Sequence, residues 1–233
     1  MDLTHISRNL AEVRGRIQQA ALSAGRSAAD VRLLAVSKTF STDHVRAAAA
    51  AGQEEFGENR VQEALQKIDG SADLKIRWHL IGTLQSNKVR KAALRFSAIQ
   101  SVDSLRLLEA IDAAAFEAGT APELLVQVDL AGEATKHGAP VDEAIEIVKA
   151  APRCRAARCV GLMAIPPFFE DPEDARPYFA QLSDVRATLL KQGVDPALLR
   201  ELSMGMSHDF EIAVQEGATI VRLGTAIFGK RSV

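Results

Sequence analysis

A lysine ends an apolar run near the start of the chain, where residues Leu33–Thr39 read LLAVSKT. Lysine is rarely buried without a partner, so Lys38 either reaches solvent from the end of a strand or is placed there for chemistry. Apolar surroundings disfavour the charged form of an amine, and an uncharged amine can attack an aldehyde to form a Schiff base. Lys38 is therefore a candidate nucleophile, with a solvated strand-end lysine as the alternative.

Two short glycine-containing segments near the other end of the chain could hold a phosphate, Ser203–Ser207 (SMGMS) and Arg222–Thr225 (RLGT). Gly205 would let the backbone approach closely, and a helix predicted over His208–Glu216 would point its N-terminal amides at the same place. The residues expected to contact the phosphate are Ser203, Ser207, Gly224 and Thr225. A phosphate site beside a reactive amine suggests pyridoxal 5′-phosphate (PLP), whereas two small-residue turns without a ligand are the alternative.

Further residues could surround the ring of this cofactor. Arg222 shares a strand face with Gly224 and could reach the pyridine nitrogen, where a guanidinium would leave that nitrogen unprotonated. Asn59 and His79 could bond the phenolic oxygen or pack on the ring. The apolar walls are expected to be Met163 and Met206. A salt bridge at the rim is the alternative for Arg222, and a structural histidine is the alternative for His79.

The elements that must position these residues read as strands alternating with helices. The expected strands are Leu33–Lys38, Glu54–Gly57, Arg77–Gly82, Ala98–Ser101, Leu124–Leu130, Cys159–Ile165, Glu201–Gly205 and Ile220–Gly224. Eight such units predict an α/β fold of the (β/α)8 TIM-barrel type, with an open doubly wound sheet as the alternative. In both folds the carboxyl ends of the strands meet on one side, and the candidate residues fall there.

Helical spacing predicts an additional amphipathic helix at the N-terminus, within residues 2–24. A second helix is expected over Asp103–Ala118, with Asp103 as its N-cap, and a third over Asp174–Gln192. Several glycines, such as Gly119, stand where a helix should stop before the next strand. Since no linker or shift in composition divides the chain, we expect one domain over residues 1–233.

The composition excludes several classes of protein. The 233 residues are 47% hydrophobic and 25% charged, with a net charge of −2 and a pI near 6.2, so we expect no nucleic-acid partner. No apolar run approaches the length of a membrane span, and no signal peptide is recognisable, so we expect a cytoplasmic protein that binds no membrane. The two cysteines, Cys154 and Cys159, are expected to be reduced thiols.

Together these segments resemble the single-domain PLP homeostasis proteins, over nearly the whole chain. The similar segments, in order, are Ala35–Thr39, Phe56–Asn59, Trp78–Gly82, Gly161–Met163, Ser203–Ser207 and Arg222–Gly229. The resemblance implies the barrel of alanine racemase, a PLP fold type III. It implies Lys38 as the Schiff-base lysine, phosphate contacts from Ser203, Ser207, Gly224 and Thr225, and Arg222 facing the pyridine nitrogen. The family is associated with intracellular PLP and amino-acid homeostasis, without an established catalysed reaction.

The sequence also bears on whether the chain is an enzyme. Racemisation needs acid/base groups on both faces of the ring, and alanine racemase takes the second from a tyrosine of an additional β-domain. We expect no such domain, because the sequence ends soon after Gly224, and its tyrosine, Tyr178, falls in a predicted helix. The prediction is a PLP-binding homeostasis protein that is not an enzyme. A PLP-dependent racemase or lyase for a small amino acid is the alternative, and a barrel enzyme acting on a sugar phosphate through its lysine is a third.

The expected partners are PLP itself and apo PLP-dependent enzymes that would receive it from a monomeric carrier. Lys136, in the loop over residues 132–138, could supply a second basic contact to PLP, with a solvated loop lysine as the alternative.

Overall fold

The computed structural model describes residues 3–132 and 137–230, and these form one closed barrel of eight parallel strands. The strands are paired in chain order, and β8 pairs with β1 to close the barrel. Their bounds are β1 Arg32–Val36, β2 Glu55–Glu58, β3 Arg77–Leu80, β4 Ala98–Val102, β5 Glu123–Gln127, β6 Arg158–Met163, β7 Glu201–Ser203 and β8 Ile220–Leu223. The (β/α)8 prediction is confirmed, and the open-sheet alternative is wrong.

Most strands end one to three residues earlier than predicted. Lys38, for example, lies in a turn beyond β1, where the amide of Phe40 donates to the carbonyl of Ser37 at 3.0 Å. Residues just after the strands, such as Ile81, Ala164 and Met204, are buried although they no longer belong to a strand. The apolar sequence pattern therefore continues beyond the strand ends. This shift puts Lys38, Asn59, Met206 and Ser207 on the loops above the barrel mouth, whereas His79, Met163, Ser203 and Arg222 remain within strands.

The helices cover the outside of the barrel, and an additional helix precedes β1 as predicted. Their bounds are α1 Thr4–Ser23, α2 Thr42–Ala50, α3 Val61–Gly70, α4 Val89–Arg95, α5 Leu105–Ala118, α6 Val141–Ala150, α7 Arg176–Lys191, α8 Phe210–Gln215 and α9 Thr225–Phe228. The buried face of α1 carries Ile6, Leu10, Val13 and Ile17, which join the main core.

Three helices start later than predicted. α7 begins at Arg176 and not at Asp174, because residues Pro172–Ala175 form a 3-10 helix, and the other two are α5 and α8. The N-cap of α5 is Ser104, whose hydroxyl accepts from the amide of Leu107 at 3.3 Å, and not Asp103. The helix predicted over His208–Glu216 is the shorter α8, because Asp209 accepts from the amide of Met206 at 2.6 Å and holds a turn before it. The shifts of α5 and α8 follow from side chains that bond to a nearby backbone amide in place of continuing the helix.

The amino end of the barrel is closed by a ring of alternating charges. The ring runs through Arg32, Glu55, Arg77, Glu123, Arg200 and Glu201 back to Arg32, with N···O distances from 2.8 to 3.5 Å. Above it lies a small apolar cluster inside the barrel, made of Leu34, Val36, Ile81, Leu125, Val160, Met163 and Ile220. Among the described residues, the interior of the barrel is therefore packed at its base and centre, and a cavity opens at the carboxyl end.

Candidate functional site

An open cavity of about 1510 Å³ lies at the carboxyl ends of the strands. It brings together seven of the residues predicted from the sequence, Lys38, Asn59, Met206, Ser207, Arg222, Gly224 and Thr225. Other basic side chains on its wall are Arg60 and Lys88. The cavity therefore joins an amine, a guanidinium and small polar residues in a setting suited to an anionic ligand.

Ser207 ties the loop after β7 to the start of α9. Its hydroxyl accepts from the amides of Gly224 at 3.2 Å and Ala226 at 3.3 Å. Because both bonds use the oxygen lone pairs, the hydroxyl proton stays available for an acceptor such as a phosphate oxygen.

Two glycines allow the close approach of these loops. Gly205 has a φ of +89°, and a Cβ there would lie 2.5 Å from the Cβ of Ala213. A Cβ on Gly224 would lie 3.2 Å from the carbonyl oxygen of Val36, one strand away. The loop after β7 is thus packed tightly on α8 and the loop after β8 on β1, and these two loops form the usual phosphate region of this barrel.

A third close approach shapes the opposite side of the cavity. A Cβ on Gly82 would lie 2.3 Å from the carbonyl oxygen of Asn59, so only glycine fits there without a shift of the backbone. The amide of Ile81 also donates to the carbonyl of Glu58 at 2.9 Å. The end of β3 therefore fixes the backbone that carries Asn59.

Arg222 reaches the cavity from inside the barrel, on a buried side chain. Its Nη1 donates to Oγ of Ser203 at 2.7 Å, and its Nη2 donates to the carbonyl of Ala164 at 2.8 Å. Burial lowers the pKa of Arg222 to about 10, an effect that Asp209 opposes. The guanidinium therefore remains protonated at neutral pH.

Ser203 lies below the cavity and connects Arg222 to two further buried side chains. Its hydroxyl donates to Oε1 of Gln100 at 2.6 Å, and Nε2 of Gln100 lies 2.9 Å from Nδ1 of His79. Burial, aided by the charges of Arg32 and Arg77, lowers the pKa of His79 to about 3, so the ring is neutral. Because the Gln100 amide nitrogen only donates, Nδ1 accepts and the hydrogen of His79 is on Nε2.

The structure places three of the predicted site residues below the cavity. Ser203 is fully buried, and its hydroxyl donates to Gln100 and accepts from Arg222, so it supports the Arg222 guanidinium. His79 is 1% exposed and fits the structural alternative stated for it. Met163 belongs to the apolar cluster inside the barrel. In the part of the chain that the structure describes, none of these three lines the cavity.

A buried ion-pair cluster beside Lys38 was missed from the sequence. Lys67 on α3 donates to Glu58 and Glu63, at 2.7 and 2.8 Å, and to the carbonyl of Ser37 at 2.7 Å. The available signal was the spacing of Glu63 and Lys67, four residues apart on a helix. That spacing ordinarily marks an exposed pair, so it did not suggest a buried one.

The remaining residues discussed from the sequence are Lys136, Tyr178 and the two cysteines. Lys136 falls outside the described residues. Tyr178 lies on α7 and packs on Phe169 with ring centroids 5.7 Å apart. Burial raises the pKa of both free cysteines, Cys154 and Cys159, to about 11, so each thiol is protonated.

Residues 3–132 and 137–230 lack two features that would indicate other functions. They contain no group of three or more His, Cys, Asp or Glu side chains placed to hold a metal ion. No helix in these ranges has both the length and the apolar character needed to cross a membrane.

Comparison with known proteins agrees with this geometry. The family model described as "Alanine racemase, N-terminal domain" matches residues 1–232. Among solved structures, alanine racemase from Clostridium difficile superposes with a TM-score of 0.72 at 14% identity, over 99% of this chain and 58% of that one. That likeness shows the fold alone, a barrel of the alanine racemase class.

More similar relatives narrow the class. Proteins named "Pyridoxal phosphate homeostasis protein" are 41% identical in Aquifex aeolicus (95% of this chain, 96% of the relative) and 43% identical in Pseudomonas aeruginosa (98% and 97%). PipY of Synechococcus elongatus, solved with PLP bound, is 40% identical with a TM-score of 0.85, over 96% of this chain and all of that one. The chain belongs to the pyridoxal phosphate homeostasis protein family.

Proposed function

We propose that this chain binds PLP in the cavity above the barrel and takes part in intracellular PLP and amino-acid homeostasis. The observation that carries the proposal is that Lys38, Arg222 and the Ser207–Thr225 region, from distant parts of the sequence, line one cavity. The cavity is large enough for a phosphorylated pyridine, and its basic side chains suit an anion. PipY, at 40% identity, has been solved with this ligand, which supports the same assignment here.

In this proposal Lys38 holds PLP covalently. The amine nitrogen adds to the aldehyde carbon, the carbonyl oxygen leaves as water, and a carbon–nitrogen double bond remains, with no oxidation or reduction. Ser207, Gly224 and Thr225 bind the phosphate through hydroxyl and amide hydrogens. Arg222 donates to the pyridine nitrogen, Asn59 faces the phenolic oxygen, and Met206 packs beside the ring.

The described part of the site favours a carrier over a racemase. His79, neutral and enclosed below the cavity, is poorly placed to exchange a proton with a ligand. Tyr178 and both cysteines are absent from the described cavity wall, although His137 and His208 lie on it. The names of the relatives also describe homeostasis proteins. We propose that the chain, a single domain over residues 1–233, is a cytoplasmic monomer that supplies PLP to apo enzymes.

Spectroscopic titration with PLP tests the binding proposal. Wild-type protein should develop the visible absorbance of a protonated Schiff base, and Lys38→Ala should not. Lys88→Ala is the matched control, because Lys88 lines the same cavity but is assigned no contact, and it should keep the band. A band that persists in Lys38→Ala would refute the assignment of the amine.

A second measurement separates a carrier from an enzyme. The PLP-loaded protein is incubated with L- or D-alanine in deuterated water, and exchange of the α-proton is followed by NMR. We expect no exchange above that of free PLP, together with activation of an apo PLP enzyme when the loaded protein is added. Rapid exchange would favour the racemase or lyase alternative.

A further inference from the structure

The buried ammonium of Lys67 has its full set of hydrogen-bond acceptors. Its side chain is 6% exposed, and its three hydrogens match three acceptors, Glu58 Oε1, Glu63 Oε1 and the carbonyl oxygen of Ser37. All three distances lie between 2.7 and 2.8 Å. The Lys67 ammonium thus links one carboxylate from β2 and one from α3 to the backbone carbonyl of the residue before Lys38.

The same two carboxylates hold the residues on both sides of Lys38. Glu58 Oε1 accepts from the hydroxyl of Ser37 at 2.6 Å, and Glu63 Oε1 accepts from the amide of Thr39 at 2.5 Å. Thr39 has a φ of +72°, the one positive φ at a non-glycine position among the described residues. A β-branched residue adopts this conformation only where its surroundings impose it. The Lys67 cluster supplies that constraint at the turn that carries Lys38.

The Lys67 cluster carries a desolvation penalty that an apolar core would not. Burying an ammonium and a carboxylate removes both from water, and their mutual attraction offsets this penalty only in good geometry, so an apolar residue would fill the same space more favourably. Glu58 is fully buried, and burial raises its pKa, an effect that Lys67 and Ser37 oppose. Without Lys67, Glu58 would be driven to take up a proton, and the turn would lose its link from Ser37 to Glu63.

From these contacts we propose that Lys67 is a positioning residue for Lys38. It fixes the Ser37–Thr39 backbone so that the Lys38 amine meets the aldehyde carbon of PLP in the cavity. The inference rests on the proposed function, since it concerns the amine that binds PLP. It assigns Lys67 no contact with the ligand, because Lys67 does not line the described cavity wall.

The test compares covalent with non-covalent binding in Lys67→Met. Pyridoxine 5′-phosphate has an alcohol in place of the aldehyde, so its affinity, measured by calorimetry, reports the phosphate and ring contacts alone. The extent of PLP attachment at residue 38 is measured by borohydride reduction and peptide mass mapping across PLP concentrations. We expect Lys67→Met to weaken attachment about tenfold or more, because misplaced reacting groups cost this much, while the calorimetric affinity changes by less than about twofold.

Two variants complete the comparison. Lys149→Met is the matched control, because Lys149 also lies in the last turn of a ten-residue helix and pairs with a glutamate of that helix, Glu146, but is exposed and far along the chain. It should behave as wild type. Lys67→Arg, which keeps the charge and donors, should recover part of the lost attachment.

Three results decide the proposal. It is overturned if Lys67→Met attaches PLP as wild type does, or if attachment and pyridoxine 5′-phosphate affinity fall equally, since an equal loss indicates a general effect on the fold. If Lys67→Met cannot be purified folded, Glu63→Ala removes the contact to Thr39 and must show the same selective loss. Absence of an adduct at Lys38 in the wild-type protein would instead refute the proposed function itself.

Discussion

The buried guanidinium of Arg222 donates to Oγ of Ser203 at 2.7 Å, which makes this serine part of the barrel interior. The Ser203 hydroxyl donates to the Gln100 side-chain oxygen, and the Gln100 amide nitrogen donates to the neutral ring of His79. A polar chain therefore runs from β3 through β4 and β7 to β8, beneath the cavity. This chain holds the Arg222 guanidinium, a buried charged group that reaches the cavity.

Removing the Ser203 hydroxyl should destabilise the fold. Ser203→Ala leaves a buried guanidinium hydrogen and the Gln100 oxygen without partners, which costs about 1–3 kcal/mol. Urea denaturation should show this as a lower midpoint. The control is Ser7→Ala at an exposed position within α1, which should not destabilise the fold because alanine has the higher helix propensity. Equal stability of the two variants would contradict the role given to Ser203.

Asp112 on α5 should make part of the stability depend on pH. Burial raises its pKa, but bonds from the amides of Arg155, Ala156 and Ala157 outweigh burial and leave the pKa below its usual value. A carboxyl with a lowered folded-state pKa stabilises the fold above its unfolded pKa of about 3.9, and this stabilisation disappears as the pH falls through the folded value.

Asp112→Asn provides the measurement. An amide has one oxygen for three amide donors, so the variant should be less stable than wild type by about 1–3 kcal/mol at pH 7. Between pH 4 and lower values the difference should shrink, because only the wild type loses its carboxylate. A difference in denaturation midpoint that stays constant from pH 7 into acid would show that the Asp112 charge does not contribute.

Gly82→Ala should disturb the cavity as well as the fold. The new methyl would meet the Asn59 carbonyl at 2.3 Å, so the backbone under Asn59 must move, at a cost of about 1–3 kcal/mol. Gly15→Ala is the control, because a Cβ there meets open space on α1, and it should stabilise by about 0.5–1 kcal/mol. Thermal denaturation of both variants compares their stabilities with that of the wild type. If Gly82→Ala were as stable as the wild type, the contact between residue 82 and the Asn59 carbonyl would be looser than the structure shows.

The barrel and the side of it that holds the site could be predicted from the sequence, because each depends on local patterns. Alternation of apolar runs with glycine-ended helices gave the eight strands, and the carboxyl-end rule placed Lys38 and Arg222 together. The direction of Ser203 could not be predicted, since β7 has only three residues and its facing depends on pairing with β6 and β8. The burial of Lys67 was missed for a similar reason, because two of its three partners, Ser37 and Glu58, come from the ends of β1 and β2 and not from α3.

The central claim is a covalent bond between Lys38 and PLP, and a crystal structure of the protein with PLP tests it most directly. The account predicts continuous density from Nζ of Lys38 to the former aldehyde carbon, with the phosphate against Ser207, Gly224 and Thr225 and the pyridine nitrogen at Arg222. Density joined to a different side chain, or PLP bound away from this cavity at saturating concentration, would contradict it.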